Sequence, residues 1–254
     1  MVRTFLVRGM LVGFVAGLLS FVFLKVYGEP QVDRAVAFEA QLAEARATPA
    51  KRAADHVHSS DEDEPELVSR SVQAGFGLFV AVLVYSTAVG GLFGLTYALA
   101  HGRVPGAMKP QALSAMLATT GFVAIYLVPT LKYPASPPAV GEPETIGIRT
   151  ALYFSMIAIS LAGMITSVSM KRSFVPRFGE SNASLLAAAC YLMVVGIAAF
   201  YLPAVDEVPD QFPAVVLWNF RIASAGAQLI MWTTLGLLFG ALTQRAAAHA
   251  KVGS

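Results

Sequence analysis

Long apolar runs alternate with short polar joints along this chain, and the alternation predicts helices that cross a membrane. A helix needs about 20 mostly apolar residues to span about 30 Å of hydrocarbon. Six stretches meet or approach that length: 9–27, 74–100, 112–131, 150–168, 184–202 and 215–242. The second and sixth are longer than a bilayer requires, so they are expected to tilt or to project beyond it. The fourth is the weakest of the six, because it carries Ser155, Ser160, Thr166 and Ser167. Arg3 and Arg8 precede the first run as basic residues precede the core of a secretory leader. That run is long for a leader, however, and it passes through Lys25-Val26-Tyr27-Gly28-Glu29-Pro30 without a small-x-small cleavage site. We read it as a retained helix. The pattern predicts an all-α fold: a polytopic integral membrane helical bundle of about six transmembrane helices. Residues 1–254 form one membrane domain, with 28–71 as its outer hydrophilic loop.

Composition points the same way. The 254 residues are 56% hydrophobic and 13% charged, with mean hydropathy +0.63. Soluble domains carry about 25% charged residues, and a globular core of this length would leave large apolar patches in water. A net charge of +2 provides no basic field for nucleic acid, and the single Cys190 lies in an apolar run where it reads as a small buried hydrophobe. No GxxxxGK[ST] loop is present, and His101 and His249 stand apart from any catalytic grouping. The chain is therefore not read as an enzyme. Lys and Arg in short loops set the orientation. A cytoplasmic amino terminus places Arg3, Arg8, Arg103, Lys109, Lys171, Arg172, Arg177, Arg245 and Lys251 inside. The short loops left outside hold only Lys132 and Arg149. Both termini are predicted to be cytoplasmic.

Two further patterns concern packing. Gly9, Gly13 and Gly17 recur every four residues, and Gly90/Gly94 and Gly236/Gly240 repeat the spacing. Small residues four apart share a helix face and let a second backbone approach closely. After Pro30, residues 30–47 place Val32, Ala35, Val36, Phe38, Leu42 and Ala43 at roughly helical spacing, which predicts an amphipathic helix against the bundle or the membrane surface.

The chemistry gathers in the predicted outer loops. Asp55-His56-Val57-His58-Ser59-Ser60-Asp61-Glu62-Asp63-Glu64-Pro65-Glu66 sets two imidazoles before a run of carboxylates. Both groups ligate divalent transition metals, so His56, His58, Asp61 and Glu66 are candidate metal ligands; a solvated acidic linker is the plain alternative. The second outer loop holds five prolines between 129 and 143, which stiffen it into an extended path suited to the outer mouth. Glu142 and Glu144 follow it, either as cation-attracting carboxylates or as caps of the next helix. Arg221 lies inside the last helix. A central arginine costs about 2.5–3.5 kcal/mol on insertion scales, so it is expected to pair with an acid among Glu29, Glu66, Glu142 and Glu144, or else to snorkel outward.

These residues also carry a resemblance. Gly28-Glu29-Pro30 with Ala35 and Glu39, the acidic histidine-bearing loop running into Glu66-Leu67-Val68-Ser69-Arg70, and Leu131-Lys132-Tyr133-Pro134-Ala135 resemble the CbtA family of proposed cobalt transporter subunits. So do Pro137-Pro138-Ala139-Val140-Gly141, Glu144-Thr145-Ile146 and Phe220-Arg221. The resemblance covers nearly the whole chain. It implies a multi-pass protein of a bacterial or archaeal inner (plasma) membrane, tied to cobalt supply for cobalamin synthesis. It also implies a small membrane partner subunit with its own histidines. Two departures stand out. The family is described with five transmembrane segments where we count six, and its histidine tracts are often richer than His56 and His58.

Two functional readings follow. In the first, the outer loops collect Co2+ (or Ni2+) as the transported ion, using His56, His58, Asp61, Glu66, Glu142 and Glu144, with Glu29, Arg70 and Arg221 as structural or pathway residues. No resident cofactor is expected. In the second, the chain is a non-transporting membrane scaffold or partner-stabilising subunit, since few charged residues lie in its spans. Its partners are the lipid bilayer, the small subunit and, as such bundles allow, further copies of itself in a homo-oligomer.

Overall fold

The computed structural model describes residues 1–46, 69–103 and 108–252. All regular structure among them is helical. Five helices are long and apolar enough to cross a membrane: α1 (Val2–Ala45), α2 (Arg70–Ala100), α3 (Pro110–Lys132), α4 (Pro143–Tyr201) and α5 (Ala214–His249). Large apolar side chains cover their outer faces. Phe200 is 83% exposed and Leu131 77%, an arrangement that suits hydrocarbon and not water.

The five helices carry the six expected runs because α4 is two antiparallel arms. Gly179 has φ +77° and ψ 168° inside an otherwise helical stretch, three residues after Pro176. Proline removes a backbone donor, and only glycine tolerates that backbone conformation cheaply. The chain doubles back there. Ser160 and Tyr191 share a hydroxyl–hydroxyl hydrogen bond of 2.8 Å, although a straight helix would hold them about 46 Å apart. The arms contain the runs 150–168 and 184–202, and the basic stretch at Lys171, Arg172 and Arg177 is helical up to the turn.

The helix expected after Pro30 is present, and it is continuous with the first run. Residues Glu29–Arg46 are helical and continue α1 without a loop, so only the rest of 28–71 connects α1 to α2. The junction is a wider, π-helical turn at Leu24–Gly28, where the Glu29 N–H bonds Leu24 O five residues back. A second such turn, Phe122–Leu127, runs into Val128-Pro129 in α3. Each widened turn lies just before a proline that cannot donate, which is how a helix passes a missing N–H without ending. Gln73–Gly77 and Leu235–Phe239 are wide turns rich in or followed by glycine.

Helices α1, α2, α3 and α5 form the core. Gly9, Gly13 and Gly17 face Ser86, Gly90 and Gly94 across the α1–α2 seam. A Cβ on Gly13 would lie 2.3 Å from Ser86 O, and one on Gly90 2.3 Å from Gly9 O. Gly236 and Gly240 give α5 the same closeness to α3, the first against Ala118 and the second against Gln111 and Ser114. Val12, Ala16, Phe93, Tyr97, Trp232 and Phe239 fill the space between the four helices. The α4 arms stand at the side, touching α3 through Val128, Met156 and Tyr191.

The seam yields a test. Gly13→Ala should cost about 1–3 kcal/mol, because its methyl meets backbone that cannot give way. Gly196→Ala, with nothing within 4 Å of the new carbon, should leave stability within about 1 kcal/mol. Thermal unfolding in neutral detergent measures both, and equal effects would refute the seam.

Candidate functional site

One end of the bundle is closed by a cap made from three segments, the end predicted to face outward. The Glu29–Arg46 helix brings Ala35 and Phe38, the proline-rich loop brings Ala139 and Val140, and the 203–213 loop brings Val208 and Phe212. These pack on Val216 and Leu217 at the start of α5. Phe38 and Phe212 meet edge to face at 5.1 Å. The amphipathic helix thus places Ala35 and Phe38 of its apolar stripe on the cap, while Val36 stays exposed.

The polar part of the cap has two centres. At the first, Arg70 Nη2 donates to Glu29 Oε1 and, at 2.8 Å, to Asp33 Oδ1. Glu29 is buried, its side chain 9% exposed, whereas Asp33 lies in the open. Glu29 and Asp33 are four apart on one helix, so a guanidinium from the start of α2 can bridge both. The second centre is Glu207. Its Oε2 accepts the Glu142 N–H at 2.9 Å and the Thr145 hydroxyl at 2.8 Å, and Arg149 Nε stands 3.4 Å away. These donors, the Glu142 amide first, hold the Glu207 carboxyl below the usual carboxylate range despite the opposing cost of burial. Arg149 also donates to the Glu142 carbonyl at 3.2 Å. Gly141, at φ +106°, admits that guanidinium; a Cβ there would sit 1.9 Å from Arg149 Nη1.

The proline-rich loop is fixed at further points. Tyr133 donates its hydroxyl to Pro203 O at 2.8 Å, and Arg221 Nε donates to Ala135 O at 3.3 Å. Arg221 therefore holds the loop through a carbonyl. Among the described residues it forms no ion pair: of its expected partners, Glu29 is engaged by Arg70, Glu142 and Glu144 are exposed, and Glu66 lies outside the described residues.

The expected site residues are thus only partly brought together. Glu29 and Arg70 meet. Glu142 serves through its backbone, and its carboxylate, like that of Glu144, faces solvent. His56, His58, Asp61 and Glu66 lie outside the described residues. Among the described residues no group of three or more His, Cys, Asp and Glu side chains is placed to hold a metal ion. Sequence reading missed Asp33, Thr145 and Glu207 as partners. Asp33 could have been found from its spacing after Glu29, but nothing local marks Glu207.

Two outcomes test this geometry. Arg70→Ala leaves the buried Glu29 carboxylate unpaired and should cost about 2 kcal/mol, with Arg70→Ala/Glu29→Gln recovering most of it on denaturation in detergent. For Glu207, the depressed value means its contribution is present above the unfolded carboxylate value of about 4.3 and is lost as pH falls through the lower folded one. Stability should therefore fall more steeply from about pH 4.3 down to the lower folded value in the unaltered protein than in Glu207→Gln. Matching acid profiles would count against the Glu207 centre.

A family model described as "Probable cobalt transporter subunit (CbtA)" matches residues 2–244. No curated protein and no solved structure matches the chain.

Proposed function

The chain belongs to the CbtA family, and from that premise we propose that it is the multi-pass membrane subunit of a cobalt uptake system serving cobalamin synthesis. In this reading the capped end faces outward from an inner (plasma) membrane, both termini are cytoplasmic, and the two α4 arms bring the crossings to six. The observation that carries it is the family match over nearly the whole of a polytopic apolar bundle. The family is one of transporter subunits and not of enzymes.

His56, His58, Asp61 and Glu66 would collect the divalent cation, with the exposed Glu142 and Glu144 carboxylates adding negative potential at the cap. Support comes from ligand chemistry: imidazole and carboxylate suit Co2+ and Ni2+ alike, and copper would bind such a pair more tightly. Selection of cobalt then falls to the system that delivers and withdraws the ion, including a small membrane partner subunit.

A second reading, a scaffold that stabilises such a partner without moving ions, has one observation in its favour. Arg8, Lys25 and Arg221, charged groups at or near the ends of the apolar runs, each bond within the protein: Arg8 with Thr243 Oγ1, Lys25 with Ala74 O and Arg221 with Ala135 O.

Cobalt accumulation separates the two. Cells carrying the gene should accumulate cobalt several-fold above a deletion strain, and His56→Ala/His58→Ala should remove most of the gain at equal protein level. No difference between strain and deletion would sink the transport reading. A gain that needs only the partner, with this chain dispensable in reconstituted vesicles, would establish the scaffold.

A further inference from the structure

The end of the bundle opposite the cap is almost without acids. Of the sixteen Asp and Glu residues, Glu180 is the only one within segments 1–28, 69–141, 146–201 and 214–252. Glu180 stands 4.0 Å from Lys171. At this end a groove of about 580 Å3 runs between the first turns of α1 and the last turns of α5, lined by Arg3, Thr4, Val7, Arg8, Leu11 and Leu242.

The lining is sorted by depth. Arg3 and Thr4 lie on the first turn of α1, and Leu11 is about 12 Å further along the axis, inside the apolar run. Val7, Leu11 and Leu242 are exposed along that wall. Arg8 is half-buried and donates to Thr243 Oγ1 at 2.9 Å, a neutral acceptor. Arg3 is exposed, and among the described residues neither arginine forms an ion pair. Two guanidinium groups thus stand at the edge of hydrocarbon with no carboxylate to match them, above an apolar wall that descends into the membrane.

We propose that this groove is a binding site for an anionic phospholipid, its headgroup phosphate on Arg3 and Arg8 and an acyl chain along Val7, Leu11 and Leu242. Charge complementarity selects a net negative headgroup: guanidinium pairs strongly with phosphate oxygens, and basic pockets between membrane helices suit such lipids. The apolar wall distinguishes a lipid from soluble phosphate, which would gain nothing from Val7, Leu11 or Leu242. A zwitterionic headgroup would bring an ammonium toward two cations.

The test uses the purified full chain in neutral detergent, titrated with phosphatidylglycerol, with phosphatidylcholine of the same acyl chains, or with inorganic phosphate. Phosphatidylglycerol at saturation should raise the unfolding midpoint by about 5 °C, and the other two should leave it unchanged. Arg3→Gln should remove much of that rise, Arg3→Gln/Arg8→Gln nearly all of it, and Arg103→Gln at the same end none. Because Arg8 also bonds α5, native mass spectrometry of the unaltered protein provides a readout independent of folding, in which phosphatidylglycerol should be retained in preference to phosphatidylethanolamine. Equal shifts with both phospholipids, a shift reproduced by phosphate, a rise that survives the double substitution, or unselective retention would each overturn the proposal.

Discussion

Hydrocarbon supplies no partner for a backbone N–H or C=O, so a chain that crosses it must satisfy its own main chain. Most of this structure answers to that constraint. It explains why the described residues are helical almost throughout, and why the helices do not simply end at their prolines. Before Pro30 and Pro129 the turn widens so that N–H groups reach carbonyls five residues back. Side chains of neighbouring helices take up carbonyls as well: Ser20 bonds Ala227 O, Ser114 bonds Gly236 O, and Lys25 bonds Ala74 O. Each of these bonds also fixes the register of one helix against another, so satisfying the backbone and assembling the bundle are one process.

The same constraint explains the glycine seam. Helices in lipid gain little from burying apolar side chains, since the tails outside are equally apolar. They gain from contact close enough for dispersion and weak hydrogen bonds. Removing Cβ at Gly9, Gly13, Gly90 and Gly94 is the direct means of bringing two backbones together. Helix α4 has no such seam with the core. Its most apolar stretch is 17% buried, against 33–39% for the other four helices, and it stays at the periphery.

These causes decide what could be read from sequence alone. Apolar run length and glycine spacing are local, and they revealed the helical bundle, the close-packed glycine faces and the helix that begins near Pro30, though not which helix each glycine face meets. Gly179 was hidden because its neighbours, Lys171 to Asn182, look like any polar connection; nothing local says that they stay helical up to one left-handed residue. The cap centres were hidden for another reason. Glu207 acquires its partners only when the 203–213 loop folds against residues 142–149, and Arg221 bonds a backbone carbonyl, Ala135 O, that charge matching does not point to. Backbone acceptors carry no signature in a sequence, so a search for opposite charges overlooks them.

Charge is distributed along the bundle axis with the same economy. Acids collect around the cap, where Arg70 and Arg149 organise some of them and leave others, among them Glu142 and Glu144, open to solvent. Cations collect at the opposite end, with Glu180 as the acid among them. Negative potential therefore lies at the cap and positive potential at the opposite end. The groups set into the helices between them are already bonded within the protein. Through the Ala135 carbonyl, Arg221 ties the proline-rich loop to α5 and keeps a guanidinium beneath that loop, so the cap is held by charge as well as by its apolar contacts.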